Sequence, residues 1–228
     1  LLAAARITGR KVHWMASRSE AFATDNQGRD SVTEGELALD ARGKFLALRV
    51  RHLANMGTYV TFAGVRLATD NFARCFPTVY RVPQIDASVR CVFTHTTPTG
   101  PYRGAGRPEA NYLMERLVEE AARVTGIDRV TLRKRNLIPR SAIPFKTKVQ
   151  TTYDSGDFPT IFEKALTLAD YAGFRKRRRE ALKRGKYRGF GISCFLEHAG
   201  GVPTEGALLE FPGGNKLVIA LGVQSTGQ

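Results

Sequence analysis

Residues 97–110 read TPTGPYRGAGRPEA and stand between a predicted strand and a predicted helix. Glycines let a backbone approach a ligand closely, and the free N–H groups at a helix start favour an anion or an oxygen-rich ligand. The spacing of Gly104 and Gly106 matches neither GxxxxGK(S/T) nor GxGxxG, so neither a P-loop nor a Rossmann site is predicted. The residues alone leave two alternatives open, an anionic cofactor site and a glycine-rich turn that only precedes a helix.

Outward from this segment, hydrophobic periodicity predicts a mixture of strands and helices. Apolar alternation and short apolar runs predict strands over residues 11–14, 33–40, 45–53, 84–93, 187–196, 206–211 and 216–222. Capping signals and apolar stripes predict helices over residues 108–125, 128–136, 160–170 and 173–184, with irregular chain over 18–30. The first of these helices is predicted to bury a stripe of Tyr112, Leu113, Glu115, Leu117, Ala121 and Val124. Strands and helices alternate irregularly and form no regular βαβ repeat, so the predicted fold class is α+β with mixed sheets.

The composition is that of an ordinary folded protein. Of the 228 residues, 43% are hydrophobic and 25% are charged, which excludes disordered, collagen-like and disulfide-scaffold chains. No run approaches the roughly 18 apolar residues of a membrane span, so no transmembrane segment is expected. The three cysteines are far apart and the four histidines do not cluster, so neither a disulfide framework nor a protein-ligated metal is expected. A reducing compartment, the cytoplasm, is the expected location.

The charge is strongly basic, with 35 Lys and Arg residues against 21 Asp and Glu residues and a net charge of +14. Much of the excess lies in residues 175–188, which read RKRRREALKRGKYR. A nucleic-acid site would place stacking aromatics among these cations, whereas Tyr187 is the one aromatic between Arg175 and Arg188. This run therefore predicts a solvated helix, which includes a docking face for an acidic partner. A basic binding module for nucleic acid or an acidic partner subunit through 175–188 is the alternative function.

Residues 101–139 read PYRGAGRPEANYLMERLVEEAARVTGIDRVTLRKRNLIP. This segment resembles the signature of the molybdenum hydroxylase large subunits, the family of xanthine dehydrogenase, aldehyde oxidase and aerobic carbon-monoxide dehydrogenase large chains. Residues 187–193 (YRGFGIS) and 225–228 (STGQ) resemble further segments of the same family, the second being similar to the start of a G-Q-G cofactor loop. The resemblance implies the mixed-sheet fold of the family's molybdopterin-binding domains.

The resemblance also implies chemistry. Such enzymes use molybdenum held by molybdopterin, here expected as the cytosine dinucleotide, to hydroxylate a small molecule with oxygen from water. The electrons pass to iron–sulfur and flavin (FAD) centres on partner subunits or domains. The expected partners are therefore a small-molecule substrate and these electron-transfer subunits in an oligomer, and no nucleic acid.

Site residues are implied position by position. The residues that match cofactor contacts are Arg103, Gly104, Thr226, Gly227 and Gln228. Those that match the substrate pocket are Ala105, Cys194 and Phe195, with Glu197 and His198 close by. No residue of this chain matches the family's catalytic base, which lies in a segment that these residues do not include.

Positions at which this chain departs from the family narrow the range of expected substrates. Gly104-Ala105-Gly106 replaces the Cys-Ser-Phe of the carbon-monoxide oxidisers, which argues against a molybdenum–copper centre and against carbon monoxide. Ala105 stands where the purine oxidisers carry a bulky Phe, so a roomier pocket for an aldehyde or an N-heterocycle is expected.

The resemblance divides the chain into two parts. Residues 1–150 correspond to a first molybdopterin-binding region with the PYRGAGR loop, and residues 151–228 to linker helices and the truncated start of a second region. The first residues read as the last turns of a helix capped by Gly9, and the final residues as a strand that enters a loop. An internal fragment of a longer polypeptide, inactive alone, is therefore expected.

Overall fold

The computed structural model describes residues 1–149, 151–197 and 206–222, which fall into two units. The first unit is Leu1–Glu197, and the second begins at His198. Among the described residues, no helix combines the length and the apolar composition that a bilayer crossing requires.

A three-stranded mixed sheet forms the centre of the first unit. Its strands are β1 (Ser31–Leu39), β2 (Phe45–Gly57) and β3 (Gln84–Phe93), in the order β1-β2-β3. β1 and β2 form the predicted antiparallel hairpin, whose turn is fixed by the Asp40 carboxylate as it accepts the N–H groups of Arg42 (2.9 Å) and Lys44 (2.8 Å). β2 and β3 are parallel, so the chain between them must return across the sheet.

Seven helices accompany this sheet in the described part of the first unit. In chain order they are α1 (Leu2–Thr8), α2 (Arg18–Thr24), α3 (Gly64–Arg66), α4 (Arg107–Thr125), α5 (Arg129–Asn136), α6 (Phe158–Leu168) and α7 (Phe174–Lys183). A π-helical turn (Leu67–Asn71) continues α3, and a 3₁₀ turn (Arg140–Ala142) follows α5. A small antiparallel pair consists of β4 (Phe145–Lys146) and β5 (Thr152–Tyr153). This mixture of sheet and helices confirms the α+β prediction.

The core lies between the sheet and α4. Gly35 of β1 lets α4 approach, because a Cβ at this position would lie 3.0 Å from the side chains of Leu113 and Leu117. The buried apolar side chains at the centre include Leu48, Val50, Phe72, Phe76, Tyr80, Met114, Val118, Leu132 and Ile138. The predicted stripe on α4 is partly wrong, since Tyr112 is 71% exposed and Val124 is 68% exposed. The helix instead buries the face that carries Met114 and Val118.

Three other predictions of secondary structure are wrong. Residues 11–14 and 187–196 form no strand, since no described strand lies beside either segment to take its backbone hydrogen bonds. Residues 18–24, predicted to be irregular, form α2. A reciprocal capping box starts that helix: Glu20 donates its N–H to the Ser17 hydroxyl (3.2 Å) and accepts the Ser17 N–H (2.7 Å).

The second unit contains the hairpin predicted at its end. β6 (Ala207–Gly213) and β7 (Lys216–Leu221) pair antiparallel. Their two-residue turn has positive φ at Gly214 (61°) and Asn215 (57°), the conformation of a type I′ hairpin turn.

Candidate functional site

The segment 101–107 folds as a tight loop between β3 and α4. Three consecutive residues have positive φ: Gly104 (80°), Ala105 (49°) and Gly106 (92°). A Cβ on Gly106 would lie 2.1 Å from the carbonyl oxygen of Leu67, and one on Gly104 would lie 2.4 Å from the Pro108 ring. Both glycines are therefore required by close approach as well as by conformation.

The carbonyl groups of this loop are held from one side. Arg29 donates to the carbonyl oxygens of Tyr102 (3.3 Å) and Arg103. Asn71, at the end of the π-helical turn, donates to the carbonyl of Ala105 at 2.9 Å. Arg29 is itself fixed, because its guanidinium pairs with Glu109 at 3.1 Å and lies 5.0 Å from the centre of the Tyr102 ring.

The opposite side of the same peptides presents N–H groups. The peptide bonds of this loop are trans, so each carbonyl that points toward Arg29 or Asn71 directs the following N–H the other way. Within the described residues, no acceptor takes the N–H of Arg103, Gly104 or Gly106. The loop therefore presents a set of backbone donors beside the positive end of α4, where an anion or oxygen ligand is favoured.

A second segment, residues 194–197, lies against the start of α4. Asn111 holds it by two bonds to the Leu196 backbone, accepting its N–H (2.8 Å) and donating to its carbonyl (2.9 Å). The next residue, Glu197, pairs with the largely buried Arg107 at 3.4 Å. The structure thus brings together the loop and a segment 90 residues later in the chain.

Residues 1–137 match the family described as "Molybdopterin cofactor-binding domain". This chain belongs to that family. The resemblance to the molybdenum hydroxylase large subunits is thereby confirmed.

Individual relatives agree with this assignment. The chain is 30% identical over 99% of its length to the 6-hydroxypseudooxynicotine dehydrogenase complex subunit gamma of Paenarthrobacter nicotinovorans, of which it covers 29%. It is 33% identical over 90% of its length to the carbon monoxide dehydrogenase large chain of Hydrogenophaga pseudoflava, of which it covers 26%. The chain therefore spans less than a third of the curated relatives it matches.

Solved structures share the fold. Quinoline 2-oxidoreductase from Pseudomonas putida 86 superposes with a TM-score of 0.74 at 28% identity, over 80% of this chain and 23% of that one. A Cu,Mo-CO dehydrogenase superposes with a TM-score of 0.70 at 28% identity, over 81% of this chain and 24% of that one. The predicted fold of the molybdopterin-binding domains is confirmed.

The residues of the 101–107 loop fit an anionic, oxygen-rich group such as the cofactor for which the family is described. Besides the three free N–H groups, the Nε of Arg107 is buried and has no hydrogen-bond partner within the described residues. A buried guanidinium donor without an acceptor is costly unless a ligand meets it. The free N–H groups lie on the outer side of the loop, away from Arg29 and Asn71. On the inner side, the carboxylate of Glu109 occupies the place beside Arg29.

The inner side contains a small cavity. Its volume is about 40 Å³, and its walls include Gly28, Arg29, His52, Asn55, Phe72, Thr99, Ala105, Gly106 and Glu109. This volume admits a few water molecules and is far below the roughly 300 Å³ of a small-molecule site. His52 stacks on Phe72 at 3.9 Å, and burial lowers the pKa of its imidazole to about 4, so the ring is neutral at pH 7.

The predicted site residues are distributed as follows. Arg103 is exposed, and Gly104 and Ala105 are half-buried in the loop. Phe195 is 56% exposed, whereas Cys194 packs against the core, where burial raises the pKa of its thiol to about 11. Their roles stay predictions. Thr226, Gly227, Gln228 and His198 lie outside the described residues.

Sequence reasoning missed the residues that support the loop. Arg29 lies 73 residues from Tyr102, Asn71 lies 34 residues from Ala105, and neither belongs to a motif. Asn111 lies within the signature segment 101–139, but nothing in the pattern marked it as the residue that holds the Leu196 backbone. Sequence reasoning also missed a buried polar network. Arg133, with no exposed surface, pairs with Glu115 at 2.6 Å, and Glu115 accepts the Tyr80 hydroxyl at 2.5 Å.

Proposed function

We propose that this chain is part of the large subunit of a molybdenum hydroxylase and that residues 101–107 hold molybdopterin. The observation that carries the proposal is the orientation of this loop: its carbonyls are bonded inward, and the N–H groups of Arg103, Gly104 and Gly106 have no acceptor within the described residues. Thr226, Gly227 and Gln228 would supply further contacts, as the family resemblance implies.

Each described residue has a stated task in this proposal. Arg29 and Asn71 bind the carbonyls of the loop, so that its free N–H groups face the other way. Gly106 lets the loop lie against the backbone of Leu67. Arg107, whose guanidinium pairs with Glu197, offers its buried Nε–H to an oxygen of the bound group. Ala105, Cys194 and Phe195 would line the substrate pocket, with Cys194 as a neutral thiol because burial raises its pKa to about 11.

When bound, molybdopterin supplies a molybdenum centre that accepts two electrons as a substrate C–H becomes C–OH with oxygen from water and the release of two protons. The catalytic base would come from residues outside this chain. Electrons would leave through iron–sulfur and FAD groups of partner subunits, in an oligomer. The pterin would be the cytosine dinucleotide.

The proposed substrate is an aldehyde or an N-heterocycle. The small side chain of Ala105 supports a roomy pocket. Several relatives are named for such substrates, among them a nicotine 6-hydroxylase large subunit at 28% identity and the quinoline 2-oxidoreductase. We place the protein in the cytoplasm, since Cys75, Cys91 and Cys194 are all free thiols. Residues 1–150 and 151–228 would belong to successive molybdopterin-binding regions.

A labelling experiment tests the activity. The full-length polypeptide, purified with its native partners, is incubated with quinoline, nicotine and benzaldehyde in ¹⁸O-labelled water with a dye as electron acceptor. We expect at least one hydroxylated product that carries the heavy oxygen. Molybdenum-loaded protein that oxidises none of these substrates, or that forms product without the label, would contradict the proposed reaction.

A further inference from the structure

A large cleft lies away from the cofactor loop, between the start of α5, the start of α7 and residues 188–190. Its volume is about 640 Å³, within the range of ligand-binding sites. Its walls are formed by Asp128, Arg129, Tyr171, Ala172, Phe174, Arg175, Arg178, Arg188, Gly189 and Phe190. The cleft therefore combines aromatic rings with several guanidinium groups.

The aromatic floor of this cleft is preformed. Phe190 packs between Tyr171 (5.0 Å between ring centres) and Phe174 (5.3 Å). The Tyr171 hydroxyl donates to the Asp128 carboxylate at 3.0 Å, and Arg129 donates to the Phe190 carbonyl at 3.3 Å. These bonds fix the rings before any ligand arrives, so binding here would cost little ordering.

Within the described residues, three guanidinium groups on the rim of the cleft have no ion-pair partner, and the one carboxylate of its wall, Asp128, accepts from Tyr171. Within residues 1–149, 151–197 and 206–222, no carboxylate lies within 4.0 Å of a cation of Arg175, Arg178 or Arg188. Arg177 on the same helix, by contrast, pairs with Asp170. Three exposed guanidiniums that converge on one cleft repel one another, and an anion placed between them relieves that repulsion.

The positive surface is wider than the cleft. Further exposed cations on and after α7 are Lys176, Arg179, Lys183, Arg184 and Lys186. A small anion would use only the cleft, whereas an extended acidic chain could meet both the cleft and this surface. The rings of the cleft pack against one another and do not stand apart as stacking platforms, which favours an acidic peptide with apolar side chains over stacked, phosphate-linked bases.

We propose that the cleft between α5 and α7 docks an acidic peptide segment of a partner subunit. This inference rests on the proposed function only in that the protein works within a multi-subunit complex. Carboxylates of the partner would pair with Arg175, Arg178 and Arg188, and an apolar side chain would rest on Phe174 and Phe190.

The test uses the full-length polypeptide and three labelled probes. These are a twelve-residue peptide of eight glutamates and four leucines, the same peptide with glutamine for glutamate, and a twelve-nucleotide single-stranded DNA. Fluorescence anisotropy gives the Kd of each at two salt concentrations. We expect the glutamate peptide to bind more tightly than the other two, with an affinity that falls as salt rises.

A matched pair of variants locates the binding. R175E/R178E reverses two charges in the cleft, and K176E/R179E reverses the two neighbouring charges outside it on the same helix. We expect the Kd to rise about tenfold or more for the first variant and severalfold less for the second, whose charges lie only on the wider positive surface. Equal losses would show a diffuse charge effect and overturn the cleft, and so would equal binding of the glutamine peptide. Tighter binding of DNA would overturn the acidic-peptide proposal in favour of nucleic acid.

Melting temperatures check that both double variants are folded. If either fails to fold, the single variants R178E and R179E are compared instead. The readout does not depend on the cofactor. If the polypeptide contains molybdenum but the peptide does not bind specifically in the cleft, only this inference is overturned. If the peptide binds in the cleft but the polypeptide contains no molybdenum, only the proposed function is overturned.

Discussion

At the scale of single residues, Arg29 holds the 101–107 loop in shape although more than 70 residues separate it from the carbonyls that it binds. It donates to two loop carbonyls, pairs with Glu109 and packs on Tyr102. Each of these contacts contributes little stability by itself, because Arg29 is partly exposed to solvent. Together they fix the carbonyl side of the loop, which leaves its N–H groups for a ligand.

Gly106 provides the sharpest residue-level prediction. Gly106→Ala places a Cβ 2.1 Å from the Leu67 carbonyl oxygen, so the loop must move away from its support. Gly126, at the other end of α4, also has positive φ (70°), but a Cβ there meets nothing within 4 Å. We expect the full-length Gly106→Ala variant to lose most of its molybdenum, while Gly126→Ala keeps it, as measured by elemental mass spectrometry of folded protein.

The control separates backbone strain from loop displacement. Both substitutions force alanine into a left-handed conformation, at a cost of about 1 kcal/mol each. A similar molybdenum content in the two variants, each shown to be folded by circular dichroism, would argue against the role assigned to the loop.

His52 predicts a pH dependence of stability. Burial lowers its pKa to about 4, from an ordinary value of 6.5, so the unfolded chain binds this proton more readily between those two values. Stability from this group is therefore complete above pH 6.5 and falls as the pH drops toward 4, by roughly 2 kcal/mol after allowance for partial solvation. The free energies of unfolding by urea at pH 7 and at pH 4.5 measure this loss of stability.

His52→Gln should flatten that part of the pH dependence, because the side chain no longer titrates. His13→Gln, at an exposed position, should leave the slope as it is in the unmodified protein. If the His52→Gln protein loses stability on acidification as steeply as the unmodified protein, another group is responsible.

At the scale of elements, the ion pair between α4 and α5 fixes how these helices pack. Arg133→Met leaves Glu115 in a mostly buried site without its cation, which should lower the free energy of unfolding by about 3–5 kcal/mol. A Glu115→Leu/Arg133→Met double variant should recover part of that loss, because no charge remains unpaired.

The exposed pair Arg123–Glu120 on the same helix α4 serves as the comparison. Arg123→Met should leave the urea midpoint unchanged within error. If Arg133→Met behaved like Arg123→Met, the buried pair would have no special part in joining α4 to α5.

Periodicity predicted most elements of the fold, because their patterns report burial. The hairpin of β1 and β2, the strand β3 and the helices α4 to α7 all form where apolar spacing and capping residues placed them. Residues 11–14 and 187–196 carry a similar pattern but have no described strand beside them, and local sequence does not encode a partner. The short helix α2 could have been found from the Ser17 and Glu20 capping box.

The candidate site was only half predictable. The motif identified the loop itself, since its glycines and arginines lie together in the sequence. Its supports come from elsewhere: Asn71 lies in the crossover between the parallel strands β2 and β3, and Arg29 lies in the segment before β1, so no spacing in the sequence connects either residue to the loop. The rotation of α4 was also missed, since the polar Asn111 lies on its buried face whereas Tyr112 and Val124 are exposed.

At the scale of the whole molecule, this chain carries the loop that we propose to hold the cofactor, and its relatives are more than three times as long. The other elements of catalysis that the family resemblance implies, a base and an electron-transfer route, would come from residues and subunits beyond it. The net charge of +14 is distributed unevenly, with its densest part around α7. This arrangement suits a subunit that binds its cofactor at one place and a partner at another.

The molybdenum content of the full-length polypeptide, purified from its source and measured by elemental mass spectrometry, tests the central claim most directly. We predict close to one molybdenum atom per chain, together with release of a cytidine nucleotide when the bound pterin is hydrolysed. A folded, intact polypeptide without molybdenum would contradict the account, and the cleft between α5 and α7 would then be the better guide to its function.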